Sequence, residues 1–307
     1  MLHILPDTQP HAPTANLTLW KAHEPNWTAY IFYPFALAGT LVFIAAEVHG
    51  ALGPLGKAYP IYLLVVIATM LTYERLAPMR PDWGMSQHTF LRRDLPMIII
   101  NGATIAATTS TVTWLAQRSV VLPLHTVALH WALEAALAVL VSDFLWYWVH
   151  RYSHEGKGRL GQRLWKTHAI HHLPSEVYVL MHAAGHPINS AYVRIILMLP
   201  AIVLGLSPEG VFAASVLTGF QGLVSHFNVD SRAGWLNRVF VGTELHRFHH
   251  SACPGEAKNY AATVSIWDQF FGTYSLPGAA PDKLGMSDRL NYPADGQWAK
   301  LLALPFK

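Results

Sequence analysis

Long uncharged stretches alternate along this chain with short clusters rich in arginine, proline and glycine. About 20 apolar residues cross the hydrocarbon core of a bilayer. By that measure Trp27–Ala46 and Leu95–Gln117 predict transmembrane helices, and Ala58–Tyr73, which is shorter, reaches its length with Lys57 and Glu74 at the interfaces. Three further apolar stretches are interrupted: Val120–Val149 by Glu134 and Asp143, Ile188–Leu206 by Arg194, and Gly210–Val229 by Gln221 and His226. A charge near the bilayer centre costs about 2.5–3.5 kcal/mol, so interrupted stretches are helix ends or walls of a protein-lined site. The pattern therefore predicts an all-α, integral-membrane helical bundle. Four spans (27–46, 58–73, 95–117 and 120–149) precede a hairpin around Ser207 and Pro208 that either crosses fully or re-enters.

Composition agrees with this reading. Hydrophobic residues make up 52% of the 307 and charged residues only 13%, against roughly a quarter charged in soluble domains. The mean hydropathy is +0.26. A net charge of +3 without a dense basic run suits an anionic membrane face and excludes a nucleic-acid partner. The single cysteine, Cys253, leaves no intramolecular disulfide and no cysteine-rich metal site. Residues 1–26 are polar and hold Pro6, Pro10, Pro13 and Pro25, unlike a cleaved signal peptide. Arginines set the orientation: Arg75, Arg80, Arg92 and Arg93 in one connection and Arg151, Arg159 and Arg163 in another, against Arg118 alone in a third. The positive-inside rule puts the two basic connections, and both termini, in the cytoplasm. The expected organisation is a polar N-terminal segment (1–26), transmembrane helices (27–142), a catalytic region (143–275) and a C-terminal tail (276–307).

The histidines change the picture from fold to chemistry. His150 and His154 stand four apart in HRYSH; His168, His171 and His172 form HAIHH; His246, His249 and His250 form HRFHH. Residues three and four apart share a helix face, so each group aims its imidazoles at a common point. His226 is placed to add a ninth. One HxxxH pair is usually accidental, but three such groups within about a hundred residues, all just beyond apolar spans, are hard to explain as packing. Imidazole suits zinc, copper, iron and nickel. Nine imidazoles are too many for one ion, so two metals are expected.

The order HxxxH, HxxHH, HxxHH, set in DFLWYWVHRYSH, LWKTHAIHH, ELHRFHHS and NYAATVSIWDQFFGTY, resembles the fatty acid hydroxylase and sterol desaturase superfamily of membrane di-iron enzymes. The resemblance covers Asp143–Tyr274, with weaker support from YERLAP at Tyr73–Pro78. It implies that His150, His154, His168, His171, His172, His226, His246, His249 and His250 ligate two iron ions. It implies dioxygen as co-substrate and a membrane lipid (sterol, fatty acyl, carotenoid or lipid head group) as substrate. Hydroxylation is placed ahead of desaturation. Some members carry a further histidine soon after the equivalent of His226, where this chain has Asn228 and Asp230; one of these, or water, is expected to complete a metal. His182 and His186 are expected at the substrate entrance or behind the ligands.

Asp143 lies two helical turns before His150 and is expected to accept the free N–H of a ligating imidazole; Asp268 is expected to do the same for the last histidine group. An inert methylene offers no acid–base handle, so the reaction needs a metal-bound oxidant. The chain holds no G-x-G-x-x-G fingerprint, no C-x-x-C and no haem-binding HPGG, so electrons are expected from a separate donor protein. The expected location is a multi-pass position in the inner membrane of a bacterium, or the endoplasmic reticulum of a eukaryote, with the active site on the cytoplasmic side. The rival reading is a histidine-rich membrane metal transporter or sensor, which calls for internal symmetry and ionisable residues at the midplane.

Overall fold

Each uncharged stretch becomes a helix with a chemically recognisable start or stop. The computed structural model describes residues 27–118 and 129–307. The N-terminal segment 1–26, the start of the expected fourth span at Val120, and His125 lie outside the described residues. In chain order the helices are α1 (Phe32–Val48), α2 (Tyr59–Leu76), a single turn α3 (Gln87–Thr89), α4 (Leu95–Arg118), α5 (Trp131–Glu155), α6 (Gly158–His172), α7 (Pro187–Leu204), α8 (Pro208–Ser225), α9 (Thr243–His249), α10 (Ile266–Phe270) and α11 (Trp298–Leu302). No strand occurs among the described residues; Phe240 with Val264 and Ser251 with Leu284 form isolated bridges.

Proline opens α2, α7 and α8, where its missing N–H breaks no helical bond. Between α7 and α8, Gly205 ends one helix at φ +64° and Ser207 starts the next, its hydroxyl accepting from Gly210 N at 3.1 Å. Two buried carboxylates then close the loops at this end of the bundle. Glu47 accepts from the N–H groups of Gly56 (2.6 Å) and Ala58 (2.9 Å), and Glu134 from Ser207 N (3.0 Å) and its hydroxyl. Glu134 thus marks a helix end, one of the two roles expected for a charge interrupting an apolar stretch.

Four described helical stretches are long and apolar enough to cross a membrane: Trp27–Val48, Pro81–Arg118, Trp131–Glu155 and Pro187–Leu204. The last is the first arm of the expected hairpin, while α2, whose final turn carries Glu74 and Arg75, is not among them. Helix α5 is the hub, packed against α6, α7 and α8, with α4 on α7 and α1 on α8. In its apolar window 44% is buried, against 11% and 6% for the stretches containing α4 and α7, which therefore turn most of their surface to lipid. The ends of α2 and α5 and the starts of α4 and α7 converge at the opposite end of the bundle from the Glu47 and Glu134 loops, and α6, α9 and the C-terminal residues gather there. The expected tail does not stand apart: Leu301 is buried with Met97, Ile170 and Leu173.

Candidate metal centre

Helix geometry divides the histidine motifs between two points instead of sending each motif to one. On a helix, residues i and i+4 lie about 40° apart while i+3 lies about 60° to the other side of i. His168 and His172 accordingly face one way and His171 another; His246 and His250 face together and His249 apart. The first group is His150 and His154 from α5, His168 and His172 from α6, and His249 from α9. The second is His171 from α6, His226 at the C-cap of α8, and His246 and His250 at α9. Within each group one ring nitrogen per residue lies within 4.8 Å of all the others. All nine expected histidines are brought together, and in each HxxHH motif the middle histidine, His171 or His249, joins the opposite group from the other two.

The protonation pattern tests whether these rings fit a cation. A carbonyl can only accept, so Nδ1 donates in His150 to Tyr260 O (2.6 Å), in His171 to Ala184 O (2.9 Å), in His226 to Gly222 O (2.9 Å) and in His249 to Lys258 O (2.9 Å). His168 Nδ1 lies 3.2 Å from Asn189 Oδ1, which also accepts from Tyr192. In a neutral ring Nε2 then carries a bare lone pair. Yet His150 Nε2 faces His168 Nε2 at 2.9 Å, and His226 Nε2 faces His171 Nε2 at 3.1 Å. Two lone pairs at that separation repel; a cation shared by both resolves the conflict. Nε2 of His154 and of His249 is buried without a partner.

The spacing of the donors carries further information. His172–His168, His246–His226 and His250–His246 Nε2 pairs stand at 3.0, 3.0 and 3.1 Å. Nitrogen donors this close suit joint ligation of one ion in each group, and imidazole serves zinc, copper, iron and nickel alike.

Burial keeps the rings neutral. It pushes His171 down to about 3 and His249 down to about 4, and holds His168, His172, His246 and His250 well below the ordinary imidazole value, reinforced by neighbouring imidazoles. Lone pairs are thus available to a metal at neutral pH.

The two aspartates act one step further out than expected. Asp143 does not bond an imidazole; its carboxylate accepts the backbone N–H groups of Ala262 (2.9 Å), Thr263 (3.2 Å) and Val264 (2.8 Å). Asp268 accepts those of Tyr260 (2.7 Å) and Ala261 (3.0 Å) and the Thr273 hydroxyl (2.7 Å). Together they hold residues 260–264 so that the Tyr260 carbonyl orients His150. Asn259, at φ +60°, bonds Leu245 O, Ser275 O and Ser275 N and so presents the preceding Lys258 carbonyl to His249. These orienting groups are backbone carbonyls, which have no sequence signature; only the asparagine and the two aspartates that brace them are visible as letters.

Asn228 and Asp230 do not reach the second group. Asn228 exchanges side-chain bonds with the backbone of Arg80 (3.2 and 2.9 Å), and Asp230 pairs with Arg232 at 2.9 Å. His186 is not at an entrance: it is buried, caps α7 through Ile188 N (3.1 Å) and donates to Leu302 O (3.1 Å), fastening the C-terminal residues. His182 is exposed, with its ring 5.0 Å from that of His226. Gly222 permits this approach, since a Cβ there would lie 2.6 Å from His182 Cε1. Trp146, which the sequence reading passed over, stacks on His150 at 4.7 Å.

The fatty acid hydroxylase family profile matches residues 135–273. Ornithine lipid hydroxylase OlsE of Rhizobium tropici is 30% identical over 229 residues, covering 71% of this chain and 67% of the relative. A putative methylsterol monooxygenase of Dictyostelium discoideum is 26% identical over 277 residues, 82% of this chain and 90% of that protein. Alkylglycerol monooxygenase of Danio rerio is 32% identical over 142 residues; the match spans 45% of this chain and only 30% of that protein. No solved structure matches the chain.

Proposed function

The chain belongs to the fatty acid hydroxylase family, and from that membership we propose that it is a dioxygen-dependent, di-iron lipid hydroxylase of the cytoplasmic membrane face. It is a multi-pass membrane oxidoreductase of the lipid-monooxygenase kind with a histidine metal centre. The reading carries one iron on His150, His154, His168, His172 and His249 and the other on His171, His226, His246 and His250. Iron held there supplies the power to activate dioxygen against an unactivated C–H bond. The observation that carries the proposal is the set of facing, unprotonated Nε2 atoms, which packing alone leaves in mutual repulsion.

The chain's own residues supply position. Carbonyls of Tyr260, Ala184, Gly222 and Lys258 fix the tautomer and ring direction of four ligands. Trp146 shields His150 from water on the α5 side, and Asp143 and Asp268 keep the 260–264 loop seated. Residues 143–275 form the proposed catalytic region. Electrons come from a separate donor protein. The basic connections around Arg80 and Arg159 stand at the histidine end of the bundle, which supports a cytoplasmic site.

Elemental analysis of purified protein and lipid extracts with and without the gene test this reading together. The expected result is about two transition ions per chain and a lipid gaining one oxygen, with loss of two hydrogens as the desaturase outcome. Well-folded protein with one ion or none, or an unchanged lipid profile from metal-loaded protein, refutes it.

A further inference from the structure

The two histidine groups are unequal. Five imidazoles surround the first point and four the second. The side chains that stand at the right place in sequence to make up the difference, Asn228 and Asp230, are committed to the backbone of Arg80 and to Arg232. A tenth imidazole, however, stands at the edge of the second group. His182 lies outside all three motifs, yet its ring is 5.0 Å from that of His226, the same separation as between His171 and His226 within the group. It is exposed and makes no hydrogen bond among the described residues.

The chain holds that ring in place from both sides. His182 sits in the turn Val179–Ala183. The backbone there is tied to α2 by Val179 N–H donating to Glu74 (2.9 Å), and to α4 by the Asn101 amide donating to the carbonyls of Ala183 (2.8 Å) and Gly185 (3.1 Å). The Ala184 carbonyl that follows accepts from His171 Nδ1, and the Gly222 carbonyl accepts from His226 Nδ1. His182 thus stands between the two peptide groups that aim two ligands of the second group. Gly222 leaves the space for it: a Cβ there would lie 2.6 Å from Cε1 and 2.9 Å from Nε2 of His182. An apolar side chain at 182 would fill the same space, so packing gives no reason for an imidazole.

We infer that His182 is the fifth imidazole of the second ion, taking the place that Asn228 and Asp230 leave unfilled. The inference rests on the proposed two-metal reading and adds to it a ligand from outside the histidine motifs. Unlike His171 and His226, His182 has no carbonyl fixing either ring nitrogen, so either can serve as the donor. Its bond is therefore the one in the group most open to exchange with a ligand from solvent.

The test uses the full chain in detergent, stripped of metal and titrated with cobalt(II), which imidazole sites bind and whose visible absorption strengthens as coordination number falls. His182→Ala, His182→Gly and His182→Gln are each read in otherwise native protein and in His172→Ala protein, where only the second group is intact, with helicity measured on the same samples. His182→Ala is expected to bind the second ion at least about tenfold more weakly, the least that loss of even an outer partner of a ligand costs. It should leave the first ion unchanged and strengthen the absorption of the second. His182→Gln, which keeps a polar side chain, is expected to behave as alanine does, and added imidazole to restore affinity and spectrum in His182→Gly. Unchanged affinity and absorption in folded His182→Ala protein, equal weakening of both ions, or restoration by glutamine and not by imidazole overturns the inference and leaves the two-metal reading standing. Native protein that takes up fewer than two cobalt ions overturns both.

Discussion

Asp143 carries a prediction that the structure makes quantitative. Its two carboxylate oxygens accept three consecutive backbone N–H groups, of Ala262, Thr263 and Val264, at 2.8–3.3 Å, and the carboxylate is 2% exposed. In Asp143→Ala all three donors lose their acceptor. Each buried, unsatisfied group costs about 1–3 kcal/mol, so roughly 3–6 kcal/mol falls on the loop once partial rehydration is allowed for. That exceeds what keeps the Tyr260 carbonyl on His150, a single bond at 2.6 Å worth about 1–2 kcal/mol. The first histidine group should therefore lose metal selectively, with affinity falling about 10–100-fold, while the second group keeps its ion. Asp143→Asn retains one acceptor oxygen and should fall between alanine and wild type. Metal content and stepwise metal titration of protein in detergent, with helicity measured on the same samples, read this directly. Two retained ions at unchanged affinity in folded Asp143→Ala protein would refute the chain of support from Asp143 through the loop to His150; equal loss from both groups would show that the carboxylate holds the fold as a whole.

Neighbouring ligands should separate in the same titration: His171→Ala empties the second group and His172→Ala the first, each leaving about one ion per chain and abolishing turnover, while His130→Ala, which removes only an exposed cap on α5, costs less than about 1 kcal/mol and no metal. Metal-free protein should lose stability on acidification. The folded imidazoles of His171 and His249 sit at about 3 and about 4, below the unfolded value near 6.5, so the unfolded chain binds more protons between those limits; stability is full above about pH 6.5 and declines toward pH 3–4, as thermal melts across that range would record. A melt independent of pH in that window would contradict the burial of these rings as neutral groups. Gly222→Ala places a methyl 2.6 Å from His182 Cε1, so it should displace His182, disturb the adjacent His226 ring and weaken the second metal by about tenfold; unaltered binding would mean that His182 moves freely.

Much of this protein is written locally. Uncharged stretches bounded by proline, serine and glycine are enough to specify membrane helices, because proline at a helix start and left-handed glycine at its end act through the backbone of their own turn. Eight of the nine histidines were legible for the same reason: i, i+3 and i+4 spacing is a property of one helix and needs no tertiary contact, whereas His226 stands alone in the sequence. The roughly 100° between His171 and His172 was also implicit in that spacing, so the division into two groups follows from helix geometry once each motif is asked to serve two points. The partners of those rings were beyond the sequence. Asp143 shares a helix face with His150, yet its acceptors are filled by a loop some 120 residues away, and the groups that orient the imidazoles are main-chain carbonyls, identical at every position of the chain. Asn228 and Asp230 stand at the right distance in sequence to complete a metal, but folding commits one to the backbone of Arg80 and the other to Arg232. Which polar side chain meets an imidazole and which meets a peptide group depends on the path of distant segments, and so does the cavity beside the first histidine group, lined by His154, His172 and His249 from three helices and by loops that only the packed bundle brings together.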